Sequence, residues 1–343
     1  MLLEWVQSHL ARLLLYWSVW VYYDQVWVHN IPAFRPGTRV IYALNHPNGV
    51  FDFSVLALAA PKGKFPCVLA KRSLFIVPFV GWFLRLTNAV PVVREMDNPI
   101  SDLTIASQRR RNLFTEVLSR LRAGCSIAIC PEGTSHDDEL QIHPLKSGIA
   151  SIAFEAKKEG IRCVVQPVFV RYLDGKVLWR GRVLVDFGAP VEIPCGVGKE
   201  GLLAMIKREL ELLSKRDCEV DNCFQLLPRN PRLPFPLDTL SPVLFWMING
   251  VPFAVGEIAS SWYRQQVVRT SNENGQFGYE AQDVVASVRL VSHTTFCTLF
   301  FAALSWGSAV RFDGWVHRMV HFLVVFGVMV EVTKMTIPLF KIN

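Results

Sequence analysis

The sequence predicts an α/β domain with a central mixed, mostly parallel sheet flanked by helices, carrying an N-terminal interfacial helix and C-terminal membrane helices. Three observations point there. Between Val26 and Val191 short apolar runs alternate with longer amphipathic ones, the habit of strands interleaved with covering helices. Of the 343 residues 51% are hydrophobic and only 19% charged, too apolar for an ordinary soluble domain of this size. The excess is also uneven: residues 31–230 mix charged and apolar residues, whereas long uncharged stretches begin after Pro234.

Strands are expected at Trp27-Val28, Val40 to Leu44, Cys67 to Ala70, Ala89 to Val93, Ser126 to Cys130, Val164 to Arg171 and Val183 to Phe187. Helices fill the gaps, at Phe51 to Ala60, Leu74 to Leu86, Ile100 to Arg122, Ile149 to Glu159 and Lys199 to Leu213. The third has Leu103, Ile105, Leu113, Val117 and Leu121 available for a buried stripe.

Four regions follow. Residues 1–24 read as a membrane-associated helix: no basic n-region opens the chain, and Trp5, Trp17, Trp20, Tyr16, Tyr22 and Tyr23 suit headgroup depth. Residues 25–227 form the α/β domain. Residues 228–236, with Pro228, Pro231, Pro234 and Pro236, continue neither helix nor strand and read as a linker. Residues 237–343 form the membrane region. Its best candidate span, Leu290 to Val310, lacks Asp, Glu, Lys and Arg and is long enough to cross about 30 Å of hydrocarbon. Thr239 to Gly256 is equally uncharged but broken by Pro242, Asn249, Gly250 and Pro252, and Met319 to Val330 is short.

The net charge is +7, part of it in Arg109-Arg110-Arg111 and Lys71-Arg72. A solvated helix face, anionic headgroups and phosphate-bearing substrates all accommodate that. Nothing resembles a recognition helix, a zinc module or an RNA-binding aromatic platform, so no nucleic acid partner is expected. The eight cysteines contain no Cys-x-x-Cys pair and read as reduced core residues, with no metal site.

The chemistry centres on Asn45-His46-Pro47-Asn48-Gly49-Val50-Phe51-Asp52, which follows the apolar run Val40 to Leu44. On one continuous helix residues six apart lie about 120° from each other, so His46 and Asp52 form a dyad only if the chain bends between them. Asn48-Gly49 supplies the bend. Asp52 then accepts the Nδ1 proton of His46, leaving the other imidazole nitrogen to take a proton from an alcohol. Arg94 ends the run Val90-Pro91-Val92-Val93, where a side chain enters a crevice at the sheet edge and its planar fork suits a phosphate. Pro131-Glu132-Gly133-Thr134-Ser135 follows another strand and offers a glycine for anion approach, two hydroxyls and a carboxylate able to orient a substrate hydroxyl or Arg94. Lys146 is a second candidate cation.

These blocks, in this order, resemble the glycerophospholipid acyltransferase superfamily over roughly residues 25–195: Asn45 to Asp52, Gly81 to Arg94, Cys130 to Ser135, and Gln166-Pro167-Val168. The longer wording, with Pro131-Glu-Gly-Thr-Ser-His-Asp137 and Pro144-Leu-Lys-Ser-Gly148, is most similar to the subgroup acylating glycerol 3-phosphate or dihydroxyacetone phosphate. The resemblance implies a membrane-bound O-acyltransferase with acyl-CoA as co-substrate, no further cofactor and membrane lipids as partners. His46 would be the general base, Asp52 its orienting partner, and Arg94 with Glu132, Gly133, Thr134, Ser135 and Lys146 would hold the acceptor's phosphate and polyol. The acyl group would pass in one displacement, without a covalent acyl-enzyme. A lysophosphatidate or other lysophospholipid acceptor is the alternative, and a non-catalytic membrane lipid-binding protein of the same fold is the second. The resemblance also implies an active site facing the cytosol, at the endoplasmic reticulum in a eukaryote. Two positions depart from the commonest pattern. Ser135 stands where arginine is usual, which bears on the acceptor, and Cys130 replaces an aromatic, expected to be a packing change.

Overall fold

The structure, a computed structural model, describes residues 23–227 apart from positions 49, 62–64, 77–79, 94–102, 134–139, 175–180, 195 and 218–222, together with scattered positions within 11–19 and beyond 250. The elements run β1 (Tyr23–His29), β2 (Arg39–Leu44), α1 (Val50–Ala59), β3 (Pro66–Lys71), a 3₁₀ turn (Arg72–Phe75), α2 (Val80–Leu86), β4 (Val90–Val92), α3 (Leu103–Arg122), β5 (Ser126–Ile129), α4 (Gly148–Lys158), β6 (Cys163–Tyr172), β7 (Gly181–Phe187), α5 (Lys199–Lys215) and β8 (Phe224–Leu227).

The strands form one eight-stranded sheet in the order β4-β3-β5-β2-β6-β7-β1-β8. Its first five neighbours are parallel, with registers Leu69↔Val90, Cys67↔Ile127, Ala43↔Ile129 and Leu44↔Val168, and β6 pairs antiparallel with β7. The mixed, mostly parallel sheet is therefore as the alternation of runs predicts. Strand β2 is apolar on both faces because it is covered on both. Ile41 and Ala43 join the core under the helices, and Tyr42 on the other face meets Phe187 edge-on at 6.5 Å.

Three helices close the first face. Val117, Leu118 and Leu121 of α3 are buried, and Leu113 packs partly against them. The small residues Ala150, Ala153 and Ala156 of α4 are buried with Ile149 and Ile152. Leu202, Ile206, Leu210 and Leu213 of α5 recur at helical spacing and complete the core. The stripe expected on α3 is realised in its C-terminal half; the side chains of Leu103 and Ile105 lie outside the described residues.

Three elements differ from expectation. Strand β1 runs seven residues rather than two. Strand β8 is an edge strand whose sequence, Phe-Gln-Leu-Leu, carries no alternation or β-branched residue to mark it. The single helix expected from Leu74 to Leu86 is divided into the 3₁₀ turn and α2, with Pro78 in between unable to donate to a helical ladder. A Cβ on Gly81 would strike the Phe75 carbonyl, so glycine is what lets α2 start against that turn.

The chain forms two compact units. The first comprises Met1–Trp17, Val26–Leu173 and Val183–Leu226 and contains most of the sheet and its helices. The second comprises Ser18–Gln25, Asp174–Arg182 and Leu227–Asn343; within it Arg182 grips the Asp174 carboxylate through its backbone amide and guanidinium. Near the N-terminus Ala11, Arg12, Leu15, Tyr16 and Val19 are helical, and Ala11, Leu15 and Val19 are buried while Tyr16 is exposed. The rest of the N-terminal helix, the 228–236 linker and the candidate membrane segments 239–256, 290–310 and 319–330 lie outside the described residues, apart from single positions. Among the described residues no helix is long and apolar enough to cross a membrane.

Candidate active site

Because β2, β3 and β5 run parallel, the segments leaving them emerge at one edge of the sheet, where ligand crevices form in such folds. His46 leaves β2 there and Cys130 to Gly133 leave β5. What lets the chain leave β2 is Asn45. Its side-chain amide donates to Val170 O at 3.0 Å, and its carbonyl oxygen accepts from Val170 N at 2.8 Å. The amide stands in for the backbone groups that would otherwise pair with β6, so the strand ends without orphaning its neighbour.

The next residues bend rather than coil. Asn48 closes the turn into α1, which starts at Val50, so no continuous helix joins His46 to Asp52. The bend brings His46 Nδ1 to 3.0 Å from Asp52 Oδ2. The same oxygen accepts the Asn48 backbone N–H at 2.8 Å. Asp52 sits in the first turn of α1, where the helix dipole favours negative charge. It is wholly buried, whereas the His46 side chain keeps 11% of its surface exposed. The dyad expected from the spacing is thus formed, with its carboxylate dry and its imidazole reachable.

Two contacts were not legible in the spacing. The Tyr172 hydroxyl, at the end of β6, donates to Asp52 Oδ1 at 2.5 Å. Cys130, expected to be a packing change, lies close enough to the imidazole of His46 to influence its proton. Phe53 flanks the ring at 5.6 Å. Burial opposes the charged imidazolium, but the neighbouring Cys130 and Asp52 favour it more, and His46 is held well above the usual histidine range. Burial in turn pushes the Cys130 thiol up, so near neutral pH it remains S–H and Asp52 supplies the charge that His46 feels.

The loop after β5 is built for close approach. Gly133 has φ +76°, a left-handed conformation that glycine adopts without cost, and its amide donates to Cys130 O at 3.1 Å. A Cβ there would lie 2.7 Å from Lys146 Nζ, so the lysine side chain is laid directly over the glycine. Lys146 N also donates to Pro131 O at 2.8 Å, joining the two segments. Glu132 is buried, and its Oε2 accepts the His143 N–H at 3.0 Å. Burial raises its carboxyl, against the backbone hydrogen bond and the charges of His143 and His46. The structure therefore places His46, Asp52, Glu132, Gly133 and Lys146 at one sheet edge; Arg94, Thr134 and Ser135 lie outside the described residues.

Residues 25–171 match the family described as Acyltransferase. Over that stretch the chain is similar to acyltransferases, in line with the resemblance carried by its motif blocks. The matched stretch contains both the His46/Asp52 turn and the Glu132-Gly133 loop. An uncharacterized acyltransferase of Schizosaccharomyces pombe is 37% identical over 84 residues, 24% of this chain and 12% of that protein. A second from the same yeast is 25% identical over 48% of this chain and 55% of its own length. The chloroplastic 1-acyl-sn-glycerol-3-phosphate acyltransferase BAT2 of Brassica napus is 26% identical over 40% of this chain and 35% of its own. The chain thus spans from about an eighth to about half of these curated relatives. The crystal structure of a 1-acyl-sn-glycerophosphate (LPA) acyltransferase from Thermotoga maritima aligns with TM-score 0.44 and 21% identity, over 63% of this chain and 84% of that one.

Proposed function

We propose that the protein is an O-acyltransferase of glycerophospholipid synthesis that moves a fatty acyl group from a thioester donor, acyl-CoA, to the free hydroxyl of lysophosphatidate. The observation that carries the chemistry is the 3.0 Å pairing of His46 Nδ1 with the buried Asp52 carboxylate. That bond keeps the imidazole proton on Nδ1 and the ring in place, and the opposite nitrogen takes the acceptor's hydroxyl proton as its oxygen attacks the thioester carbonyl. The C–S bond breaks, the new ester C–O bond remains, and His46 returns the proton to the departing thiolate. Asp52 stabilises the imidazolium formed in between. The Glu132-Gly133 turn and Lys146 would receive the acceptor's phosphate, joined by Arg94, Thr134 and Ser135.

The acceptor rests on the Brassica napus relative named a 1-acyl-sn-glycerol-3-phosphate acyltransferase. Glycerol 3-phosphate or dihydroxyacetone phosphate is the second reading, favoured by the wording of the Asn45 to Asp52 and Pro131 to Asp137 blocks. We place the enzyme at a membrane through residues 1–24 and 237–343, with its site on the cytosolic side and, in a eukaryote, at the endoplasmic reticulum. The test is one assay of purified protein in detergent with labelled acyl-CoA and each of the three acceptors. The reading expects kcat/KM for lysophosphatidate to exceed the others at least tenfold. Preference for glycerol 3-phosphate would transfer the assignment to the second reading, and no turnover with any acceptor would leave a lipid-binding protein.

A further inference from the structure

Asp52 accepts three hydrogen bonds, and they are not equivalent. Two arrive at Oδ2, from the Asn48 amide and His46, and are local to the turn. The third arrives at Oδ1 from Tyr172, 120 residues away in sequence and one residue beyond the stretch that matches the family. Tyr172 is the last residue of β6, two positions after Val170, whose backbone groups pair with Asn45. Its ring is buried and its hydroxyl meets a carboxylate that has no exposed surface. A donor at 2.5 Å to an anionic oxygen is at the short end of charge-assisted bonds.

We propose that Tyr172 is a positioning residue for His46 that acts through Asp52: its hydroxyl fixes the carboxylate plane and takes up charge at Oδ1, so that Oδ2 faces the imidazole at the correct angle. This rests on the reading of His46 as the base. Without the hydroxyl, Oδ1 is a buried anionic oxygen lacking a strong donor, and the carboxylate directs its charge at its partner His46. The imidazolium is then held too tightly and the neutral base forms only at higher pH. Among the described residues, the other titratable groups facing His46 are Cys130 and Glu132. Neither touches Oδ1, so neither substitutes for the phenol.

The experiment uses full-length protein in detergent with Tyr172→Phe, which keeps the ring. Expected are a kcat lower by about 10- to 100-fold, KM values for donor and acceptor within about threefold, and an acid limb of the kcat profile displaced to higher pH. In protein labelled with ¹⁵N-histidine, the His46 Nδ1–H signal, assigned by its loss in His46→Gln, shifts in Tyr172→Phe and its titration midpoint rises. An unchanged acid limb together with an unmoved His46 signal overturns the proposal. Should the wild type transfer no acyl group, the reading of function fails, while the histidine titration still decides whether Tyr172 acts on His46.

Discussion

Replacing Asp52 by asparagine isolates the charge of the dyad from its shape. An amide oxygen at the Oδ2 position keeps both the Asn48 N–H at 2.8 Å and the His46 Nδ1–H at 3.0 Å. The amide NH₂ then occupies the Oδ1 position and donates to the Tyr172 oxygen, whose hydroxyl turns away. The fold is retained, and what disappears is a negative charge beside the imidazolium. At about 4 Å and an effective dielectric near 20, such a pair is worth roughly 4 kcal/mol, or about a thousandfold in rate. A carboxylate-to-amide change in a Ser-His-Asp triad lowers kcat by about 10⁴, the same order. Asp52→Asn should therefore reduce kcat about 10³- to 10⁴-fold with KM for both substrates within about threefold. The pH dependence has a definite sign. His46 is raised, so the base is protonated at low pH and the rate climbs as it deprotonates; removing the Asp52 charge moves that limb down. The raised His46 also contributes stability that is present below the usual histidine pKa of about 6.5 and lost as pH rises through its folded value. Initial rates from pH 5.5 to 9, with matched unfolding curves, read all three effects. A variant keeping more than a tenth of the wild-type kcat, or an acid limb that does not move, would refute the reasoning.

Two further outcomes are expected. Asn45→Ala leaves the Val170 N–H and C=O buried without their 2.8 and 3.0 Å partners, so stability measured by denaturant titration should fall by about 2–4 kcal/mol; a loss under about 0.5 kcal/mol would contradict the strand-ending role. Gly133→Ala puts a Cβ at φ +76° and against Lys146, costing about 1–2 kcal/mol of stability and displacing the lysine. Acceptor KM should rise more than donor KM, and the reverse would remove Lys146 from the acceptor site.

The sequence makes the dyad legible because its geometry is local. His46 and Asp52 are six residues apart, Asn48-Gly49 marks a bend in the sequence between them, and one turn decides whether they meet. The sheet is legible for a similar reason: β2, β5 and β6 are short apolar runs that only burial on two faces explains. Contacts set by strand order are not. Tyr172 reaches Asp52 because β6 lies beside β2 and runs on past its end, and no spacing within either segment encodes that. Cys130 meets His46 because β5 and β2 are neighbours, so a residue that reads as a small core side chain becomes a partner of the base. The edge strand β8 lacks the pattern that covering layers impose. Glu132 reads as a group for substrate or Arg94, and the sequence does not show that its Oε2 also holds the returning chain at His143.

The central claim is that His46 is the base of an acyl transfer, and His46→Ala in the full-length protein tests it most directly. With labelled acyl-CoA and lysophosphatidate in detergent, at a pH above the acid limb, the account predicts a fall in kcat of at least about 10³-fold while the protein remains folded and retains both substrates' binding. Transfer at the wild-type rate by that variant would contradict it.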